Sequence, residues 1–511
     1  MRRFLKISNL VLFVILLSSH AQAALLSEDN KPILQYIHAS WHDLTRTATN
    51  CGTYKDIKVA NSPFLYVPKQ FPINDTIRNL ETSCHINVAT LPRVIHNVGD
   101  VKTNELLAAG LLYLPYPYVV PGGRFNEMYG WDSYFIILGL LHDGENQLAN
   151  NMLENYFFEI KYYGTILNAN RTYHLSRSQP PFLSSAILAV YHTQQADKKA
   201  WLQRAYNIAK KDYAQWIKPP FLAGNTGLSR YYDVENESLV EEKVFPNYYQ
   251  RVLSYIEKHP DISSFYLDKN NKKLSGDFYQ GERSLRASGF DITSRFGTFG
   301  GETHHFAPVC LNSLLYKTEI DLKHIADILG KKTDAKMWLA RAKKRQRAVM
   351  KYLWNEKNGL FLDYDFTKNK QSNYHYATTF YPLWAGIATP HQALAVEKNL
   401  KLFEQPGGLA MSDIETGLQW DKPFGWAPIQ LLAVQGLLKY GYHHDATRLA
   451  HHFYQTVAND FNTTHKIYEK YNVIKQSSEF STRIGYVENV VGFGWTNSTV
   501  LLFDDLLKKP A

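Results

Sequence analysis

Apolar residues recur at helical spacing in one segment of this chain after another, while the alternation of a half-buried strand is scarce. Between Thr333 and Trp354, for example, Ala335, Trp338, Ala342, Val349 and Tyr352 fall at helical spacing, with Thr333 and Asp334 as N-cap candidates. Asn358-Gly359 then breaks the helix, and Leu360 to Tyr364 reads as a short extended piece. The same logic predicts helices over Asp197 to Ile217 and His443 to Phe461, and over 149–161, 181–195, 310–329, 390–403 and 426–441. From about Asn30 onward no low-complexity linker or composition shift divides the chain. An all-α chain of repeated helix pairs with short loops suggests a toroid of helices around a central cavity. The tighter self-similarity of an α-solenoid is absent.

The first 23 residues read differently. Arg2, Arg3 and Lys6 precede an apolar run from Leu10 to Leu17, and Ala21-Gln22-Ala23 follows, the layout of a secretory signal peptide. That run is short for a bilayer span, and no later segment is long and apolar enough to be one. The expectation is an exported protein with no membrane contact after cleavage, periplasmic in a Gram-negative cell and otherwise secreted. Residues 24–511 read as a single domain, with 24–100 its less typical part. The formal charge of +9 counts the three cations of the leader, and the other Lys and Arg are dispersed, so nucleic acid is not an expected partner. Cys51, Cys84 and Cys310 are too few for a disulfide framework or a Cys-based metal site. Cys51 and Cys84 are candidates to pair, leaving Cys310 buried. His304-His305-Phe306 and the other histidines lack the spacing of a metal site, and no metal or organic cofactor is expected.

The chemistry concentrates in Pro121-Gly122-Gly123-Arg124-Phe125-Asn126-Glu127-Met128-Tyr129-Gly130-Trp131-Asp132-Ser133-Tyr134. Two glycines let the backbone approach a ligand closely, and an arginine, several aromatics and two carboxylates fall within a dozen residues, a set suited to a sugar. The plainer reading is a turn followed by an amphipathic helix. A second block, Gln419-Trp420-Asp421-Lys422-Pro423-Phe424-Gly425-Trp426-Ala427-Pro428, lies far downstream. In this order the two blocks closely resemble the two signatures of the trehalase family of glycoside hydrolases. Further family-like stretches are Asn168 to Pro181, Ala287 to Phe296, Glu469-Lys470-Tyr471 and Gly492-Phe493-Gly494-Trp495-Thr496-Asn497. The resemblance covers about residue 100 to 500. It implies an (α/α)6 barrel with long active-site loops, a monomer, that splits α,α-trehalose into two glucose molecules with inversion.

Inversion requires one carboxylic acid to protonate the glycosidic oxygen while a carboxylate on the opposite face activates water, the two standing about 6.5–9.5 Å apart. The family's acid is the Asp of a Ser-Gly-aromatic-Asp motif, which corresponds here to Asp291 in Ser288-Gly289-Phe290-Asp291. Phe290 stands where Trp is usual and keeps an apolar wall, which would favour a protonated carboxyl. Without the resemblance, Asp291 reads as the N-cap of a helix starting at Ile292. The family's base is the Glu of Glu-Lys-Tyr, corresponding to Glu469 in a tripeptide that alone is an ordinary charged cluster. Substrate contacts implied in the same way are Arg124, Phe125, Trp131, Asp132, Asn168, Arg177, Gln179, Glu237, Trp426 and Trp495. An arginine's rigid fork suits vicinal hydroxyls.

Two departures stand out. The family's Arg-Pro-Glu-Ser segment is matched by Glu235-Asn236-Glu237-Ser238, which reverses the charge at the first position and leaves Arg230 as a nearby substitute. The family's glycine-rich lid with Glu-Tyr is replaced by Lys475 to Asn489, nearly without glycine, where Glu479 or Glu488 would stand for the Glu. Two other readings therefore stay open: an (α/α)6 glycosidase acting on another α-glucoside, and a catalytically inactive sugar-binding homologue. Retention of both candidate carboxyls weighs against the second.

Overall fold

A computed structural model describes residues 31–509, apart from 57, 59–63, 195, 196, 236–245, 269, 271, 272, 483 and 485–487. Helix α1 (Lys31–Asp43) is followed, after a mixed segment, by helices in pairs. These are α2 (Gly130–His142) and α3 (Asn146–Tyr162), α4 (Leu183–Tyr191) and α5 (Lys198–Trp216), then α6 (Val309–Ile328) and α7 (Lys332–Tyr352). Next come α8 (Tyr381–Ala385) and α9 (Pro390–Lys398), and α10 (Ala427–Lys439) and α11 (His443–Thr464). The last helix, α12 (Gly494–Lys508), packs on α1 from the other end of the chain.

Helices α2, α4, α6, α8, α10 and α12 touch one another in that order, and α12 packs back on α2. The ring is closed, so the chain is an (α/α)6 barrel, as the sequence reading expected. Amphipathicity explains the two layers. Helix α2 buries all but a few of its residues from Gly130 to Leu140, as an inner helix must. Helix α7 buries only Ala335, Trp338, Ala342, Arg345 and Val349 and shows its Lys-rich face to solvent.

The segments read as helices from their period are helices, with ends that differ from the prediction by a few residues. The N-cap of α7 is Lys331 rather than Thr333 or Asp334, and Asp334 instead accepts the Tyr206 hydroxyl at 2.8 Å. Helix α2 was legible only as the plainer reading of the first block, because a helix apolar on nearly every side carries little period. Strands are short. Several helices, among them Lys31–Asp43, Asp75–Ser83, Pro246–Glu257, Gly276–Ser288 and Gly494–Lys508, have no counterpart in the prediction, and neither does a parallel sheet of Phe64–Val67 between Asn87–Thr90 and Leu111–Leu112. With helix Asp75–Ser83 it builds a second small core of Tyr54, Leu65, Val67, Ile77, Leu80, Ile86 and Leu111. There Cys51 and Cys84 are disulfide-bonded, and Cys310 is buried elsewhere with a free thiol. No helix of the described residues is long and apolar enough to cross a membrane.

Between α5 and α6 the chain leaves the ring and returns through helix Gly276–Ser288, which lies against the turns at 298–305. Contact there is backbone to backbone: a Cβ added at Gly281 would stand 1.8 Å from the Gly301 carbonyl oxygen. Gly281→Ala is expected to cost about 2–4 kcal/mol by forcing the helix off that loop. Chemical denaturation checks it, with Gly276→Ala as control, since a Cβ at Gly276 meets nothing within 4 Å.

Candidate active site

One pocket collects Arg124, Phe125, Trp131, Asp132, Asn168, Arg177, Gln179, Arg286, Asp291, Gln419, Trp420, Trp426, Glu469, Glu488 and Trp495, with several neighbours. Every one of these residues precedes an inner helix or lies in its first turn, so the pocket sits at the end of the ring where the inner helices begin.

The first glycine-rich block enters α2 at this end. Gly130 N donates to the Asn168 carbonyl at 3.1 Å, and Trp131 N donates to Gln179 Oε1 at 2.8 Å. Asn168 in turn donates from its backbone to the Arg177 carbonyl and from Nδ2 to the Arg286 carbonyl, at 2.8 and 3.1 Å. Arg177 is held by Asp233, Nε to Oδ2 at 2.8 Å, with both side chains buried. The other carboxylate of the block, Glu127, faces away and pairs with buried Arg171 at 2.7 Å.

Asp291 stands two residues beyond Gly289, which ends helix Gly276–Ser288 in the left-handed conformation at φ 77°. A side chain at Gly289 would meet the Trp131 ring at 2.9 Å, so glycine is required for both reasons. No helix begins at Ile292, and the N-cap reading of Asp291 falls. The second block holds this loop instead. Gln419 Nε2 donates to the Asp291 carbonyl at 2.5 Å, and Trp420 N to the Ile292 carbonyl at 3.2 Å. Asp421 accepts from Thr293 Oγ1 at 2.5 Å and from Ser294 N at 2.9 Å. Arg286 Nη1 lies 3.5 Å from Asp291 Oδ2. Phe290 is fully buried between Trp131 and Trp420, with ring centroids 5.5 and 5.0 Å away, and packs behind the pocket without lining it.

Glu469 hangs from the far side of the same block. Residues Lys470–Asn472 pair antiparallel with Phe424–Trp426, placing Trp426 opposite Lys470. The Glu469 carbonyl accepts from Trp495 Nε1 at 3.0 Å, and its Oε2 accepts from Lys470 Nζ at 2.6 Å. Trp420 and Trp426 stack face to face at 3.7 Å, completing an aromatic wall with Trp131 and Trp495.

Two polar atoms on this lining, Arg124 Nε and Gln419 Oε1, are buried without a hydrogen-bond partner among the described residues. Such orphans are rare and costly, and a ligand with many hydroxyls can satisfy them. Asp132 is fully buried. Desolvation, and then the charges of Glu469 and Asp291, push its carboxyl well above the ordinary value.

Of the site residues expected from sequence, Glu237 lies outside the described residues, and all the others line this pocket. Arg230 does not fill the charge gap at Glu235: its guanidinium donates to the carbonyls of Pro220 and His304, both at 2.8 Å, and stays out of the pocket. Of the two lid candidates, Glu488 reaches the pocket, 3.7 Å from Arg124 Nη1, while Glu479 pairs with Lys475 at the surface. Sequence reasoning missed Arg286, one residue ahead of a matched stretch, Lys58 in the N-terminal segment, and His174, which lies inside the matched stretch Asn168 to Pro181; Gln419 and Trp420 were visible in the second block. The reading of the histidines from spacing also needs correction. Asp277, 27 positions upstream, brings its Oδ1 to 3.0 Å from His304 Nε2 and 3.4 Å from His305 Nε2, a three-residue cluster able to hold a metal ion outside the pocket.

The trehalase family model matches residues 30–508. The cytosolic neutral trehalase of Saccharomyces cerevisiae is 36% identical over 90% of this chain and 70% of its own length. Its namesake in Neurospora crassa is 37% identical over 79% of this chain and 59% of its own. Among solved structures, neutral trehalase Nth1 from Saccharomyces cerevisiae matches with a TM-score of 0.79 and 34% identity, over 93% of each chain. A mannosylglycerate hydrolase from Thermus thermophilus, 18% identical with a TM-score of 0.52 over 75% of this chain and 95% of its own, shares the fold. These relatives correct the expectation of an exported, periplasmic or secreted protein, because several that match between 78% and 90% of the chain are named cytosolic neutral trehalases. The leader pattern rested on a short stretch of composition, and residues 1–30 lie outside the described residues.

Burial of Asp132 has a consequence for stability. Between the ordinary carboxyl value of about 4 and its raised value in the fold, the folded chain holds a proton that the unfolded chain has lost. Stability therefore falls as pH rises through that window. Asp132→Asn carries no charge to bury and is expected to lose less stability than the wild type between about pH 4 and pH 8. Denaturant unfolding at both pH values checks this; parallel losses in the two proteins would contradict it.

Proposed function

Because the chain belongs to the trehalase family, we propose that it hydrolyses α,α-trehalose to two glucose molecules with inversion, Asp291 acting as general acid and Glu469 as general base. The observation that carries this reading is that one block, Gln419 to Trp426, delivers both carboxyls to a single pocket walled by tryptophan. Stacked indoles suit the C–H faces of glucose, and Arg124 and Gln419 bring unpaired polar atoms to its hydroxyls.

In the reaction, protonated Asp291 gives its proton to the glycosidic oxygen as the bond from that oxygen to the anomeric carbon breaks. A water on the other face of the ring bonds to the same carbon, and the Glu469 carboxylate takes the proton that water loses. One glucose leaves with its α configuration, and the other is released as β. Asp291 ends ionised and Glu469 protonated, and exchange with solvent resets both. Asp132, Asn168 and Arg177 hold the hydroxyls, and Glu488 with Arg124 closes the mouth.

Asp291→Asn and Glu469→Gln test the assignment separately. Each is expected to lower kcat by roughly 10²- to 10⁴-fold while calorimetry still detects trehalose binding. A variant that keeps wild-type turnover removes its residue from the mechanism.

A further inference from the structure

Lys470 follows the proposed base directly and is completely buried, which is unusual for a lysine. Among the described residues its ammonium has one hydrogen-bond acceptor, Glu469 Oε2 at 2.6 Å. It lies 5.0 Å from the centre of the Trp426 ring and 4.1 Å from that of Phe480. The side chain is thus clamped between a wall of the sugar pocket and the segment that replaces the glycine-rich lid. The same segment is tied to the lysine's backbone, since Asn489 Nδ2 donates to the carbonyls of both Lys470 and Ser478 at 2.9 Å.

Removing an ammonium from water is costly unless a partner compensates it. Burial pushes this ammonium below its usual value, and the adjacent Glu469 charge opposes the shift. The other charged groups that face the pair are Arg124, itself near Glu488, together with Asp132 at the start of α2 and Asp291. Four carboxyls, Glu469, Asp132, Asp291 and Glu488, therefore surround Lys470 and Arg124, and the lysine is the cation in contact with Glu469.

We propose that Lys470 is the positioning residue of the general base: it holds Glu469 Oε2 in place, leaving Oε1 to take the proton from water. The inference rests on the reading of Glu469 as base. The cation-π contacts fix the lysine, the lysine fixes the carboxylate, and the lid segment is anchored on the same group.

The test is the pH profile of trehalose hydrolysis by the full chain for wild type, Lys470→Met, Lys470→Arg and Glu469→Gln. Lys470→Met keeps an apolar stem between the two rings and removes the charge. It is expected to leave KM within about threefold, to lower kcat roughly 10- to 100-fold, and to move the acid limb of kcat/KM up by about one pH unit or more. Lys470→Arg is expected to keep the limb in place. A Lys470→Met enzyme with normal kcat, or one slowed with an unmoved limb, overturns the proposal. If thermal unfolding shows that the methionine variant does not fold, Lys470→Gln carries the same expectations. Glu469→Gln separates the two failures. If it is inactive while Lys470→Met behaves as wild type, the lysine alone is misread; if it stays active, the base assignment fails and this inference with it.

Discussion

The side-chain amide of Gln419 donates to the carbonyl of Asp291, and seven residues later Trp426 faces Lys470 across a two-stranded sheet. Between these contacts, Asp421 gathers Thr293, Ser294 and Thr416 onto its two oxygens. A single short segment therefore sets the separation between two carboxyls that are 178 positions apart in sequence. Asp421 is buried, which pushes its carboxyl up to about 6 against the pull of its hydrogen bonds. Those bonds to a charged acceptor are stronger than neutral ones and offset part of that cost. The ring of inner helices gives this bracket a rigid seat, since Pro428 already belongs to α10.

Three carboxyls share one desolvated pocket, and the fold treats each differently. Arg286, itself held by Glu282 on the preceding helical turn, approaches Asp291. Lys470 contacts Glu469 directly. Asp132 has no ion pair among the described residues and is left with a raised proton affinity. Unequal neighbours give carboxyls of one chemical type different proton affinities. The arrangement works against stability, as functional sites commonly do, and the large aromatic core of the barrel supplies the surplus.

Much of this was legible in the sequence, for identifiable reasons. Amphipathic outer helices such as α5, α7 and α11 announce themselves by period, whereas α2 does not, because nearly all of it is buried. The closed ring was available only through resemblance, since no local pattern shows that α12 returns to α2. The two signature blocks and the shorter family-like stretches between and after them together located nearly the whole pocket. Arg286 escaped because an arginine in a helix gives no local sign of what it faces. Asp277 beside His304 and His305 escaped because the partners lie far apart in sequence. The direction of Glu479 and Glu488 was a tertiary matter, settled by which of them meets Arg124. Compartment was the weakest inference, drawn from a short leader pattern and corrected by the relatives.

The central claim is that this pocket cleaves trehalose with inversion at one anomeric carbon. Proton NMR of the purified protein mixed with α,α-trehalose, followed from the earliest minutes before mutarotation blurs the signals, tests it most directly. Equal initial amounts of α- and β-glucose are the predicted result. Release of α-glucose alone, or no glucose from folded protein across a range of pH, would contradict it.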